Sequence, residues 1–233
     1  MQEIDIQELL SETWNKFVQR WKPLCVASLL GYFLPMAVFF AVYFFLFMGA
    51  IKAAHNGSSV DISSWIPIVI AYIVFIVAVT MFTYGAQNYC IKICRGENPE
   101  PKDFLLPVST YLRIIAAMFL VMIAAAVGIA LCVIPGLILM FFFSFVSYAI
   151  IDHPELGIFD CMKHSLELVK PNWKPVLISF IIVYAIQSVL SSTVIGIIPA
   201  ISFGILLQSL LYVKCNDKSA NNAQPVIPPS YQL

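Results

Sequence analysis

Charge is what this sequence has least of. Asp, Glu, Lys and Arg make up 11% of its 233 residues, hydrophobic residues make up 61%, and the mean hydropathy is +0.89. A soluble domain carries about 25% charged and about 45–50% apolar residues. One globular core could not bury this much apolar surface, so lipid must solvate part of it. A soluble enzyme, a nucleic-acid binder and a disordered chain are excluded on that ground. The 13 basic and 13 acidic residues cancel, which leaves no net charge to draw an acidic partner. Chemical motifs are missing too: the chain has no HExxH, no GxSxG, no CxxC and no phosphate-cradling glycine loop.

Four stretches contain no Asp, Glu, Lys, Arg or His: 24–51, 66–91, 114–151 and 176–213, of 28, 26, 38 and 38 residues. A bilayer crossing takes about 20 apolar residues at about 1.5 Å each. The first two stretches therefore read as single helices, the first kinked at Pro35. Each longer stretch would make a helix of roughly 57 Å, nearly twice the ~30 Å of hydrocarbon, and should fold back as a hairpin. The breaks are expected at Ile134-Pro135-Gly136, and at Ser191-Ser192 or between Gly196 and Pro199. Irregular backbone facing lipid leaves polar groups unsatisfied, so the Pro-Gly turn is expected below the outer surface, shielded by protein.

Charge placement gives an independent check. With six crossings, 12 of the 13 Lys and Arg residues fall on the side of the N-terminus; with four, the split is 9 to 4. Basic residues are retained in the cytoplasm. The fold class is thus all-α, a polytopic transmembrane bundle of six spans with both termini cytosolic and amphipathic interfacial helices on the cytosolic side. Glu3, Asp5, Glu8 and Glu12 ahead of a long first stretch argue against a cleaved signal peptide.

The chain divides into an amphipathic segment (1–23), a six-span membrane domain (24–214) and a disordered cytosolic tail (215–233). In the first segment Ile6, Leu10, Trp14, Phe17 and Trp21 recur at helical spacing, opposite Glu8, Glu12, Asn15, Gln19 and Arg20. Such a stripe lies in the headgroup layer or packs on a neighbouring helix. A second stripe, Phe159, Met162, Leu166 and Val169, opposes Asp160, Lys163, Glu167 and Lys170, with Asp152 as its N-cap and Pro154 in its first turn. A weaker one, Phe104, Val108 and Tyr111, is broken by Pro107. Trp21-Lys22-Pro23 and Trp173-Lys174-Pro175 lead into membrane stretches, with Tyr111-Leu112-Arg113 between them as a partial echo. The candidate interfacial residues are Trp14, Phe17, Trp21, Phe159, Met162, Leu166 and Trp173. Pro228-Pro229-Ser230-Tyr231 in the tail matches the pattern that WW domains bind.

Candidate chemistry is sparse. His153 beside Asp152 and Glu155 reads either as a metal corner or as a capped turn with a solvated His. Cys90 and Cys94, one helical turn apart, read as a metal or redox pair or as small buried residues. No catalytic, metal or cofactor site is assigned. Asn88, Gln187 and Gln208 form a candidate polar cavity, either lining a passage or serving as hydrogen-bond glue between helices.

Three blocks carry a resemblance: RGENPEPKDF at 95–104, the Ile134-Pro135-Gly136 turn and IIDHPELGIFDCMKHSLEL at 150–168, followed by Trp173-Lys174-Pro175. Together they resemble a family of uncharacterised bacterial integral membrane proteins related to the membrane domain of some glycerophosphodiester phosphodiesterases. The resemblance runs from about Trp14 to Tyr212. It implies a helical, roughly six-span protein of the bacterial cytoplasmic (inner) membrane and brings no catalytic residues. The resulting expectation is a non-enzymatic membrane protein that engages membrane lipids, or a protein partner at the cytosolic face, in envelope maintenance. The alternative is a transporter or lipid-moving protein for a neutral or amphiphilic substrate.

Overall fold

The computed structural model describes residues 4–55, 66–190 and 193–223, and among these there is no strand. In order, the helices are α1 (Ile6–Ser28), α2 (Leu34–His55), α3 (Ile66–Cys94), α4 (Val108–Leu131), α5 (Val133–Phe142), α6 (Val146–Asp152), α7 (Ile158–Val169), α8 (Trp173–Leu190) and α9 (Val194–Ala223). A π-helical stretch, Leu29–Phe33, joins α1 to α2, and a 3₁₀ turn, Pro101–Phe104, precedes α4. Six helical stretches are long and apolar enough to cross a membrane: Ile6–Gly49, Val69–Cys94, Pro101–Leu131, Val133–Asp152, Trp173–Leu190 and Gly196–Ala220.

Local chemistry sets the element ends. Asp5 caps α1, its Oδ1 accepting from the Gln7 N–H at 2.9 Å, and Glu8 complements the positive helix end. Pro35 cannot donate to a carbonyl one turn back, and the chain answers with the wider π turn just ahead of it, where the Leu34 N–H reaches the Leu29 carbonyl. Where a kink is expected at Pro35, the structure has this π turn. Pro23 is accommodated similarly: Arg20 leaves helical geometry (φ −124°, ψ 19°), so Trp21-Lys22-Pro23 opens a new first turn. Trp173-Lys174-Pro175 likewise opens α8.

Three hairpins make up the fold: α2 with α3, α4 with α5 and α6, and α8 with α9. Helix α9 is the hub, packing against α1, α3, α7 and α8. Its buried Leu206, Leu207, Leu210 and Leu211 meet Phe145 and Tyr148, whose rings lie 5.6 and 5.5 Å from that of Tyr212. This core lies beneath a cap of ion pairs. Lys214 bonds Glu8 (3.1 Å) and Glu12 (2.8 Å), Lys92 bonds Asp103 (2.7 Å), and Arg95 bonds Asp152. The start of α1, the ends of α3, α6 and α9, and the 101–104 turn thus gather at one charged end. Away from it the helices are largely exposed, α2 most of all: Phe40, Phe44, Phe45 and Phe47 project outward.

Several expectations are corrected. The 114–151 stretch does break, but at Cys132 (φ −168°, ψ 142°) and not at Pro135-Gly136, which lie in the first turn of α5. Proline suits that position because its missing N–H has no helical partner there. Gly136 instead lets the hairpin close: a Cβ on Gly128 would sit 2.8 Å from its Cα. Nor is the turn shielded, since Leu131, Cys132, Val133 and Ile134 are exposed. In the 176–213 stretch the break precedes Val194, leaving Gly196 and Pro199 inside α9, while Ser191-Ser192 lies outside the described residues. Asp152 caps nothing; it ends α6, and Gly157 is the N-cap of α7. The tail begins later than Asn216, because α9 continues to Ala223. Bonds from Lys214 to Glu8, from Lys218 to Asn172 (3.1 Å) and between Asn216 and His164 (3.0 Å) tie down that extension. The Pro228–Tyr231 pattern lies outside the described residues.

Candidate functional site

The 95–106 segment helps build a concave apolar feature of the molecule. Its 3₁₀ turn lies directly on α3 at Gly85, where a Cβ would come within 1.9 Å of the Phe104 carbonyl oxygen. Asn88 donates to the Asp103 carbonyl (2.8 Å), and Lys92 holds the Asp103 carboxylate. Phe104 stacks on Tyr89 at 4.2 Å, and the Tyr111 hydroxyl accepts from the Leu106 N–H while donating to the Met81 carbonyl. Between this clamped turn, α1 and α3 runs an open groove of about 510 Å³, lined by Val26, Ala27, Ala78, Met81, Phe82 and Leu105 among others. No ionisable side chain but the Tyr89 phenol lines it. Its volume is that of a small-molecule site.

Beside the groove, polar residues form a network at the charged end. Arg95 donates twice to Asp152 (2.5 and 2.7 Å), and Tyr212 adds a third bond at 3.1 Å. Those bonds hold the Arg95 guanidinium above its ordinary pKa. His153 lies 3.5 Å from Asp152 and 3.2 Å from Glu155, and its ring meets His164 edge-on at 5.4 Å. Arg113 donates to the carbonyls of Pro154 and Leu156. The network therefore pins the 152–157 loop from two sides. Among the described residues no group of three or more His, Cys, Asp or Glu could hold a metal ion. Cys90 is fully buried, and its neighbour Cys94 offers its carbonyl to Lys16.

The expected interfacial residues divide. Phe17 is buried against Phe203, with rings 5.8 Å apart. Trp14, Trp21, Phe159 and Trp173 are exposed, and Met162 and Leu166 are half-buried. The buried faces are rotated from the expected stripes: Leu9, Thr13, Phe17, Leu24 and Ser28 on α1, and Cys161, Ser165, Leu168 and Val169 on α7. Small polar residues explain the rotation. Ser28 and Ser202 bond at 2.7 Å between α1 and α9, and Ser165 accepts from the Phe145 N–H and donates to the Phe142 carbonyl where α5 gives way to α6.

The expected polar cavity is not assembled. Asn88 is committed to the 103 carbonyl, whereas Gln208 donates to Ser179 (3.3 Å) between α8 and α9, and Gln187 lies near Gly204 further along that pair. Sequence reasoning missed the groove, the Arg95–Asp152–Tyr212 network and the Lys218–Asn172 bond. The only signal was the density of polar and proline residues in 95–104 and 150–157.

Comparison with known proteins agrees with the uncharacterised-family reading in its coarse form. No curated protein and no solved structure matches the chain, and nothing found supports the link to glycerophosphodiester phosphodiesterases. Residues 104–230, from the last residue of the clamped turn through α4 to α9, match a domain of unknown function, DUF7847. The chain belongs to the DUF7847 family.

Proposed function

We propose that this is a non-enzymatic integral membrane protein of the bacterial cytoplasmic membrane that holds a lipid acyl chain in the groove between α1, α3 and the 101–105 turn. Its six long apolar stretches cross the bilayer, and its charged end and both termini face the cytosol. The groove carries the reading: it is apolar, it opens sideways beside exposed helix faces, and its floor is clamped by Gly85, Tyr89 and Phe104. Exposed Trp14, Trp21 and Trp173 support an interfacial position for the charged end, since Trp collects at membrane–water interfaces. The position of 12 of 13 basic residues supports the cytosolic orientation.

The test is purification in a mild detergent followed by mass spectrometry of retained lipid. Ala78→Trp should fill the groove and lower retention with the fold intact by circular dichroism. Retention equal to the parent's would overturn the groove assignment. Reporter fusions at Asn98 and Lys170 should both read cytosolic, and a fusion at Lys170 reading outside would end the six-span topology.

A second reading, a transporter or lipid-moving protein, draws on Gln87 and Gln208. Both are buried, and the Oε1 atom of each lacks a hydrogen-bond partner among the described residues. A passing polar group would satisfy them, so solute flux in liposomes that falls with Gln208→Leu would favour this reading.

A further inference from the structure

We propose a second lipid site of different chemistry: the cleft at the start of α8 takes the phosphate headgroup of an anionic membrane lipid. It rests on the membrane reading above but not on the groove. The cleft, about 360 Å³, is lined by Asn172, Trp173, Lys174 and Pro175 at the entrance to α8, by Lys218 of α9 and by Ile6 of α1, among others. Among the described residues no Asp or Glu lines it.

Its half-buried cation stands out against the rest of the charged end. Four lysines are half-buried among the described residues, namely Lys16, Lys92, Lys214 and Lys218. The first three each face a carboxylate within 4 Å: Lys16 faces Glu12, Lys92 faces Asp103, and Lys214 faces Glu8 and Glu12. Lys218 has only the Asn172 amide oxygen at 3.1 Å. Asn172 is itself 5% exposed and fixed by its bond to the Leu168 carbonyl (2.9 Å), so it aims the ammonium without neutralising it. An ammonium has three protons to donate, and two remain. Lys174, exposed with its Nζ 6.0 Å from the Trp173 ring centre, forms no ion pair among the described residues either.

A partly desolvated Lys218 with an exposed Lys174 beside it, neither paired with a carboxylate among the described residues, calls for an anion. The first turn of α8 adds N–H groups with no intrahelical acceptor and the positive end of the helix dipole. The ligand is a lipid and not a free ion because exposed Trp173 and the apolar Ile6, Pro175 and Ile178 set the cleft where headgroup and acyl chain meet.

The experiment is native mass spectrometry of the full chain in non-ionic detergent. Dioleoyl phosphatidylglycerol is titrated in, then phosphatidylcholine with the same chains, then inorganic phosphate as a competitor. Phosphatidylglycerol should bind several-fold more tightly than phosphatidylcholine. K174Q and K218Q should each weaken it about fivefold, while K163Q, whose lysine faces Glu167 on α7, should not. Lys174 makes no bond to the fold, so K174Q carries the test should K218Q misfold. Equal affinity for the two lipids, or K174Q binding like the parent, would overturn the proposal. Displacement of phosphatidylglycerol by millimolar phosphate would assign the cleft to a free ion and overturn it as well. Ala78→Trp leaves this cleft untouched, so failure of one lipid site is read separately from failure of the other.

Discussion

Arg95 and Asp152, 57 residues apart, meet face to face, Nη1 to Oδ1 at 2.5 Å and Nη2 to Oδ2 at 2.7 Å. The pair fastens the end of α3 to the end of α6, and the Tyr212 hydroxyl adds α9 to the same carboxylate. Because the Asp152 side chain is 3% exposed, its charge cannot be left to water. Removing Arg95 leaves the buried Asp152 charge without its cation, at a cost of about 3 kcal/mol or more, whereas losing one hydrogen bond to a charged group costs about 1.5–3 kcal/mol. Arg95→Ala should therefore destabilise the protein more than Tyr212→Phe in thermal or denaturant unfolding in detergent. Equal losses would show that the pair does not close this end of the bundle.

Gly85→Ala tests the clamp on the groove. In a helix interior this change ordinarily gains about 0.5–1 kcal/mol. Here the new methyl would meet the Phe104 carbonyl oxygen, which is backbone and cannot step aside. Overpacking costs about 1–3 kcal/mol, so the melting midpoint should fall. Gly49→Ala, with nothing within 4 Å, serves as the control and should be neutral or stabilising.

Two serines one helix apart should behave in opposite ways. Ser165 is the partner of the buried Phe145 N–H at the α5–α6 break, so Ser165→Ala orphans that donor and should cost about 2 kcal/mol. Ser144 buries a hydroxyl that has no partner, and Ser144→Ala should be neutral or stabilising. Unfolding of the two variants side by side decides the matter; the reverse order would discredit the geometry of the break.

Thiol labelling reads burial and topology together. Cys132 is exposed at the α4–α5 turn, while Cys90, Cys161 and Cys215 are fully buried. Burial also pushes the Cys161 thiol above its ordinary pKa, which lowers its thiolate fraction near neutral pH. A membrane-impermeant maleimide should label intact cells through Cys132, and Cys132→Ser should abolish the signal. Labelling of Cys132 only after permeabilisation would invert the proposed orientation.

Much of the fold was legible in the sequence. The long apolar stretches correspond to six helical stretches among the described residues that are long and apolar enough to cross a membrane, and the 38-residue lengths required a fold-back in each of the last two. The kink at Pro35 and the helix-opening role of Trp-Lys-Pro followed from what proline cannot do. The break at Cys132 was not legible, because Pro135-Gly136 looks like a turn but Gly136 is there for close approach to Gly128.

Sequence by itself determined how many helices are long and apolar enough to cross and which loops carry the charge, because both depend only on composition along the chain. Tertiary structure alone decided which face of each helix is buried. An apolar stripe marks the inward face only where the opposite face must meet water. On α1 and α7 the faces that meet the bundle are those that approach closely and bond across, and not the most apolar stripe, hence Thr13, Ser28, Cys161 and Ser165 inside and Trp14, Trp21 and Phe159 outside. The same holds for the ionic contacts. That Arg95 finds Asp152 while Lys218 finds no carboxylate among the described residues follows from how three hairpins converge on α9, which no local pattern encodes.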